Sequence, residues 1–371
     1  MERPDTPGPL EPRLLALLEE LVGRDASDLH LTAGKRPKLR IDGRLTDCRT
    51  TEALGPRDTA ALARSMLSEE AEQCFARDGD LDCSFTVAGL SRFRANLFRQ
   101  QGSVACAIRR VPVEIRSLRE LGLPAAVARL TEKPRGLVLI TGPTGSGKST
   151  TLAAMVDRIN SLRAGHIVTI EDPIEFVHPH KGCIVNQREV GKDTRTFATA
   201  LRNVLRQDPD VILVGEMRDP ETIQAALTVA ETGHLALATL HTRSAAEGIH
   251  RIIDAFPAHR QEQVRVQFAE VVEGVIAQTL LPRAEGPGRV VACEVLVATP
   301  AIRALIREAK VHQIQSAMQA ARRFGMQTLN DALYQLYAGR QVDFAECLRV
   351  ASDPGEFRRM TGVAPPGGAV Q

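Results

Sequence analysis

The stretch Gly142-Pro143-Thr144-Gly145-Ser146-Gly147-Lys148-Ser149-Thr150 constrains this chain more than any other. It fits G-x-x-x-x-G-K-[ST], and its flanks match. Gly136–Thr141 is a short apolar run that reads as a buried strand, while Leu152, Met155, Val156 and Ile159 beyond the motif fall at helical spacing. Strand, glycine-rich loop and helix in that order separate a phosphate site from an ordinary glycine turn. The glycines let the backbone curl until several N–H groups and the helix N-terminus face one anion. Lys148 is then expected to reach the β- and γ-phosphates of a nucleotide, and the Ser149 hydroxyl to sit on Mg²⁺.

Hydrolysis also needs a carboxylate near the γ-phosphate, and Mg²⁺ needs oxygen ligands. Two strand candidates end in acids, as a parallel sheet would present them to a ligand. His166–Ile170 runs into Glu171-Asp172-Pro173-Ile174-Glu175, and Val211–Val214 runs into Gly215-Glu216-Met217-Arg218-Asp219. The second resembles a Walker B strand, except that Gly215 stands where a magnesium-binding Asp is often found. Either cluster alone reads equally well as a solvated strand end; both in one sheet after a P-loop point to chemistry. His234 and His241 bracket a further strand, Leu235–Leu240. Singly each is an ordinary cap or core histidine. As a pair they are expected to face one edge and sense the γ-phosphate.

The order of elements divides the chain. Residues 1–112 mix helices with hairpins and predict a small α+β domain. Helices are expected over 14–22, 57–67 and 69–77, and strands over 28–32, 38–41, 82–87, 92–99 and 104–110. Asp42-Gly43 marks a hairpin. Residues 113–119 read as a linker, and 120–360 as a domain whose strands alternate with helices, the signature of a mostly parallel sheet covered on both faces. Within it, 260–280 reads as one long helix, followed by a strand at 289–297 and an all-helical end. In the helix Ala301–Ala309, Arg303 and Arg307 are expected to form a cationic patch free of the core. From 361 the chain reads as a flexible Pro/Gly tail, and residues 1–10 as frayed.

Composition removes several function classes. With 47 Lys+Arg against 45 Asp+Glu, no net field draws the chain to nucleic acid. Aromatic residues are 4% and Trp is absent, so the stacking platforms of a DNA translocase are missing. No apolar run approaches the roughly 18 residues of a membrane span, and the N-terminus lacks the build of a signal peptide. A cytoplasmic location is the expectation. The seven cysteines include no C-x-x-C, which argues against a zinc site, and His178-Pro179-His180 reads as a solvated loop.

Taken together, Gly142–Thr150, Thr169–His178, Val185–Val190, Gln207–Asp219 and Glu231–His241 resemble the secretion ATPase superfamily, and within it the type IV pilus retraction ATPases. The similarity runs from Ser27-Asp28-Leu29-His30-Leu31 to Gly325-Met326-Gln327-Thr328-Leu329. It implies an α/β fold with a RecA-like P-loop ATPase domain and a smaller PAS-like α+β N-terminal domain. It implies a homohexamer that hydrolyses ATP with Mg²⁺ and acts on an inner-membrane pilus platform protein, meeting the membrane only through that machine. On the same basis Glu175 lies in the acidic box, Glu216 is the catalytic acid, His234 and His241 form the histidine box, and Arg94 and Arg109 reach the nucleotide phosphates. Ala304 departs from the family's A-I-R-N-L motif, which leaves that position without a polar side chain. An accessory retraction paralogue and an extension or secretion ATPase are the alternatives. The latter are usually longer at the N-terminus and carry a tetracysteine element.

Overall fold

Leucine spacing builds the first helix: in α1 (Pro12–Gly23) Leu14, Leu17, Leu18 and Leu21 are all fully buried. Pro12 opens it, where a missing N–H costs nothing, and the Glu11 carboxylate accepts from Leu14 N. The computed structural model describes residues 10–41, 43–111 and 114–363. Two compact units divide the chain, one ending at Glu114 and the next beginning at Ile115. The expected fraying of 1–9, the Pro112-Val113 linker start, Asp42 of the hairpin and the tail beyond 363 lie outside the described residues.

In the first unit, β1 (Asp28–Leu31), β2 (Lys38–Ile41), β3 (Arg44–Asp47), α2 (Pro56–Arg64), α3 (Glu69–Asp78), β4 (Asp80–Val87), β5 (Ser91–Gln100) and β6 (Ser103–Val111) follow in order. The strands make one antiparallel sheet, order β3-β2-β1-β6-β5-β4. Period-two alternation sorts its faces. Phe93, Ala95 and Leu97 of β5 are buried with Phe85, Ile108 and the leucines of α1, while Arg92, Arg94 and Asn96 alternate onto the other face.

The second unit runs α4 (Ala125–Leu130), β7 (Gly136–Thr141), α5 (Lys148–Leu162), β8 (His166–Glu171), β9 (Ile184–Glu189), α6 (Phe197–Val204), β10 (Val211–Val214), α7 (Pro220–Glu231), β11 (Leu235–Leu240), α8 (Ala245–Asp254), α9 (Ala258–Val271), β12 (Val272–Pro282) and β13 (Arg289–Val297). Then come α10 (Pro300–Arg307), α11 (Ile314–Ala320), α12 (Leu329–Ala338), α13 (Phe344–Val350) and α14 (Pro354–Thr361). The sheet order is β13-β12-β7-β11-β10-β8-β9, parallel except for β13. Residues of β7 and β11 are buried on both faces, the mark of a central parallel strand. Leu137, Leu139, Ala236 and Ala238 face a core shared with α6 to α10, and Val138, Ile140, Leu235 and Leu237 face one shared with α4 and α5. Among the described residues no helix is long and apolar enough to cross a membrane.

Three sequence expectations fail here. The helix expected over 260–280 stops at Val271, and Val272–Pro282 is a strand beside β7. Its apolar run is ambiguous alone; a slot between β7 and β13 selects the extended form, where Val275 and Ile276 are fully buried. Strand β9 was not anticipated, since Ile-Val-Asn-Gln-Arg-Glu is polar, as an edge strand tolerates. Thr361, the first residue of the expected tail, is still helical: α14 holds Phe357 fully buried and closes on Gly362 in the left-handed conformation.

Candidate nucleotide-binding site

The glycine-rich loop joins β7 to α5 and owes its path to its glycines. Gly142, Gly145 and Gly147 have φ of 150°, 79° and 89°, and Gly147 forms the N-cap of α5. A Cβ on Gly142 would run into the Gln278 carbonyl and the Ser146 side chain. Gln278, buried on β12, donates from Nε2 to the Ser146 carbonyl at 2.7 Å. Pro143, Thr144 and Gly145 stay exposed at the tip, and Ser149 and Thr150 stand in the first turn of α5. Lys148 is buried, its Nζ donating to the carbonyls of Gly142 at 2.8 Å and Pro143 at 3.1 Å. Burial pulls its ammonium below the ordinary lysine value, against the Glu216 and Glu175 carboxylates.

Glu216 follows β10. It accepts from Arg218 Nη2 at 2.7 Å and faces His241 Nε2 at 3.0 Å, at the end of β11. Partial burial favours its neutral form, but Arg218 and His241 outweigh this and hold the carboxyl below its usual value. Gly215 packs closely: a Cβ there would stand 3.2 Å from the Ile170 carbonyl and from Glu171 Cα, so an Asp at 215 would need those atoms to give by a few tenths of an ångström. Ser149 Oγ, with the carboxylates of Glu175 and Glu216, gives oxygen donors of the kind Mg²⁺ takes.

Glu175 is exposed on the loop after β8. Behind it, withdrawal from water pushes the half-buried Glu171 carboxyl up, against hydrogen bonds from Thr169, Gln187 and the Glu175 N–H.

The two histidines do not share an edge. At about 3.3 Å per residue the strand between them holds them more than about 20 Å apart. His241 touches Glu216, whereas His234 lies at the opposite end of β11, its carbonyl paired to Gly136 N and its Nδ1 3.1 Å from the Val229 carbonyl. Within this subunit His234 closes α7 against the sheet. Arg94 and Arg109 belong to the first unit, where they are directly paired across β5 and β6. Arg109 Nε donates to Asp28 at 2.8 Å, and Arg94 Nη2 lies 3.9 Å from Asp82.

The patch expected on α10 is also corrected. Arg303 donates to the carbonyls of Ala269 and Glu270, each at 2.8 Å, and pairs with Glu273 at 2.7 Å. It closes the C-terminal end of α9, which a helix expected to run through 280 could not reveal. Arg307 alone stays exposed. Sequence reasoning missed Gln278 for the same reason; Gln187 fell inside a resembling stretch, Val185–Val190, but received no role because a polar strand carries no apolar signal.

Residues 4–349 match the family described as type II/IV secretion system protein. The type IV pilus retraction ATPase PilT of Pseudomonas aeruginosa is 48% identical over 343 residues, covering 92% of this chain and 98% of that one. The type IV pilus ATPase PilU of the same organism is 42% identical, covering 93% and 90%. A crystal structure of the pilus retraction motor PilT with bound ADP superposes with a TM-score of 0.88 at 50% identity, covering 95% of this chain and all of that one. The shared fold is α/β, a P-loop ATPase domain preceded by a smaller α+β domain.

Proposed function

This chain belongs to the type II/IV secretion system protein family, and on that footing we propose that it is a cytoplasmic motor ATPase that drives type IV pilus retraction and twitching motility. The observation that carries the reading is that Lys148, Glu175 and Glu216 follow β7, β8 and β10 at the C-terminal end of one parallel sheet. The likeness to PilT over nearly the full length of both chains supplies the direction of the motor.

ATP is the substrate. The P-loop amides and the N-terminus of α5 take its phosphates, and Lys148 exchanges two loop carbonyls for the β- and γ-oxygens. Ser149 and Glu175 would hold Mg²⁺, which when bound neutralises charge on those oxygens. Glu216, kept ionised by Arg218 and His241, orients a water and draws on its proton as that oxygen bonds to the γ-phosphorus. The bond from that phosphorus to the bridging oxygen breaks, and ADP and phosphate leave. Arg94 and Arg109, side by side on an open sheet face, complete phosphate sites in a homohexamer. Alanine at both, with rate and ring unchanged, would return them to the role of solvated strand residues. A platform protein in the inner membrane is the assigned load, with the motor at that membrane's cytoplasmic face.

Gene deletion in the source organism tests the direction. Hyperpiliated cells that no longer twitch support retraction. Bald cells would make this an extension motor and overturn the proposal.

A further inference from the structure

The loop that carries Glu175 has no glycine near that residue; its one glycine, Gly182, lies at the far end beside β9. Its backbone is instead held by side chains of neighbouring strands. Ile174 N donates to Glu189 Oε2 at 3.2 Å, the Glu175 N–H donates to the Glu171 carboxyl, and His178 N donates to Gln187 Oε1 at 2.8 Å. Gln187 Nε2 donates both to the Phe176 carbonyl at 2.8 Å and to Glu171 Oε1 at 3.2 Å, and Thr169 Oγ1 completes Glu171 at 2.6 Å. One amide thus takes the Phe176 carbonyl and the His178 N–H, both just after Glu175, and steadies the Glu171 carboxyl that accepts from the Glu175 N–H. A side-chain amide offers two N–H donors and an acceptor on one planar group without charge.

We propose that Gln187, from edge strand β9, is a positioning residue for hydrolysis, holding the acidic loop so that Glu175 keeps its place before the P-loop. This rests on the role given to Glu175 above. A shift of about 1 Å in a reacting group can cost on the order of 10²-fold in rate, and Glu175 is itself exposed, so its place depends on how the backbone on either side is held.

The test uses the purified full-length hexamer. Gln187→Met keeps length and bulk but removes both polar atoms. It is expected to lower kcat about tenfold or more while KM for ATP changes less than about twofold. Placed in a Glu175→Gln background, the same substitution is expected to do almost nothing further, because a residue acting through Glu175 has lost its target. A full multiplicative loss in that background would mean Gln187 serves only the fold, and a wild-type rate for Gln187→Met would mean the loop needs no such hold. Either result overturns the proposal. A silent Glu175→Gln would instead bring down the role assigned to Glu175, and the positioning role with it. Should Gln187→Met fail to fold, Gln187→Glu keeps an acceptor for the His178 N–H but removes the donor to the Phe176 carbonyl and to Glu171. It is then expected to lower kcat in the parent and to add almost nothing in the Glu175→Gln background; a wild-type rate in the first or a full multiplicative loss in the second overturns the inference.

Discussion

The P-loop and the acidic loop lie at the ends of parallel strands of one sheet, yet they are held in different ways. The P-loop is shaped by its own residues: three glycines with positive φ, a lysine turned back on the loop's carbonyls, and the first turn of α5. From elsewhere in the sheet, Gln278 on β12 adds a hydrogen bond to the Ser146 carbonyl. The acidic loop borrows nearly all its restraint from Glu171 on β8 and from Gln187 and Glu189 on β9. A loop that binds phosphate through its backbone must encode its own curvature. A loop that presents a single carboxylate can be shaped by its neighbours.

The largest effect is expected at the cation of the self-shaped loop. Lys148→Ala should abolish measurable ATP hydrolysis, because Lys148 is the cation the P-loop offers to the β/γ-phosphates. Near wild-type phosphate release from the purified variant would break the assignment. Glu216→Gln comes next. ATP binding should persist while turnover falls by roughly 10²–10⁴, the range for a lost general base. The pH profile sharpens this. Arg218 and His241 depress the Glu216 pKa, so the ionised form survives to lower pH and the acid limb of kcat should lie below the ordinary carboxylate range. Arg218→Ala removes a depressing partner and should move that limb to higher pH. A limb that stays put would mean another group sets it.

The two glutamines carry the comparison directly. Gln278→Met leaves the Ser146 carbonyl without its donor, a loss of about 1–3 kcal/mol for a buried group. The P-loop grips phosphate before and during reaction, so the effect should appear as a rise in KM for ATP of about tenfold with kcat nearly kept. Gln187→Met should do the opposite. If both move the same constant, the division between a binding loop and a chemical loop is wrong.

The smallest effect is expected on α10, where the rate should not change. Arg303→Ala removes the side chain that closes α9 and pairs with Glu273. Chemical denaturation should show a loss of about 1–3 kcal/mol, with ATP turnover per folded hexamer unchanged. Arg307→Ala, at an exposed position, should stay within about 0.5 kcal/mol of the parent. Equal stability in the two variants would restore the picture of a free cationic pair.

Much of the site was legible from residue order. The P-loop was visible because phosphate binding dictates residue types at fixed local spacing, and Glu216 because an apolar strand runs straight into it. Gly136–Thr141 and Leu235–Leu240 announced buried parallel strands by being apolar throughout. What lay beyond reach depended on neighbours distant in sequence. Val272–Pro282 became a strand because β7 and β13 leave it an extended slot, and that choice put Gln278 under the P-loop and Arg303 on the end of α9. His234 and His241 looked like a pair because seven residues separate them in the chain; an extended strand turns that spacing into opposite ends of the sheet. Arg94 and Arg109 fall on different expected strands, and antiparallel register makes them cross-strand partners. Local rules decide where a backbone can bend and what a loop can bind. Which side chain from another strand arrives there is set by sheet order and register, and only the folded chain determines those.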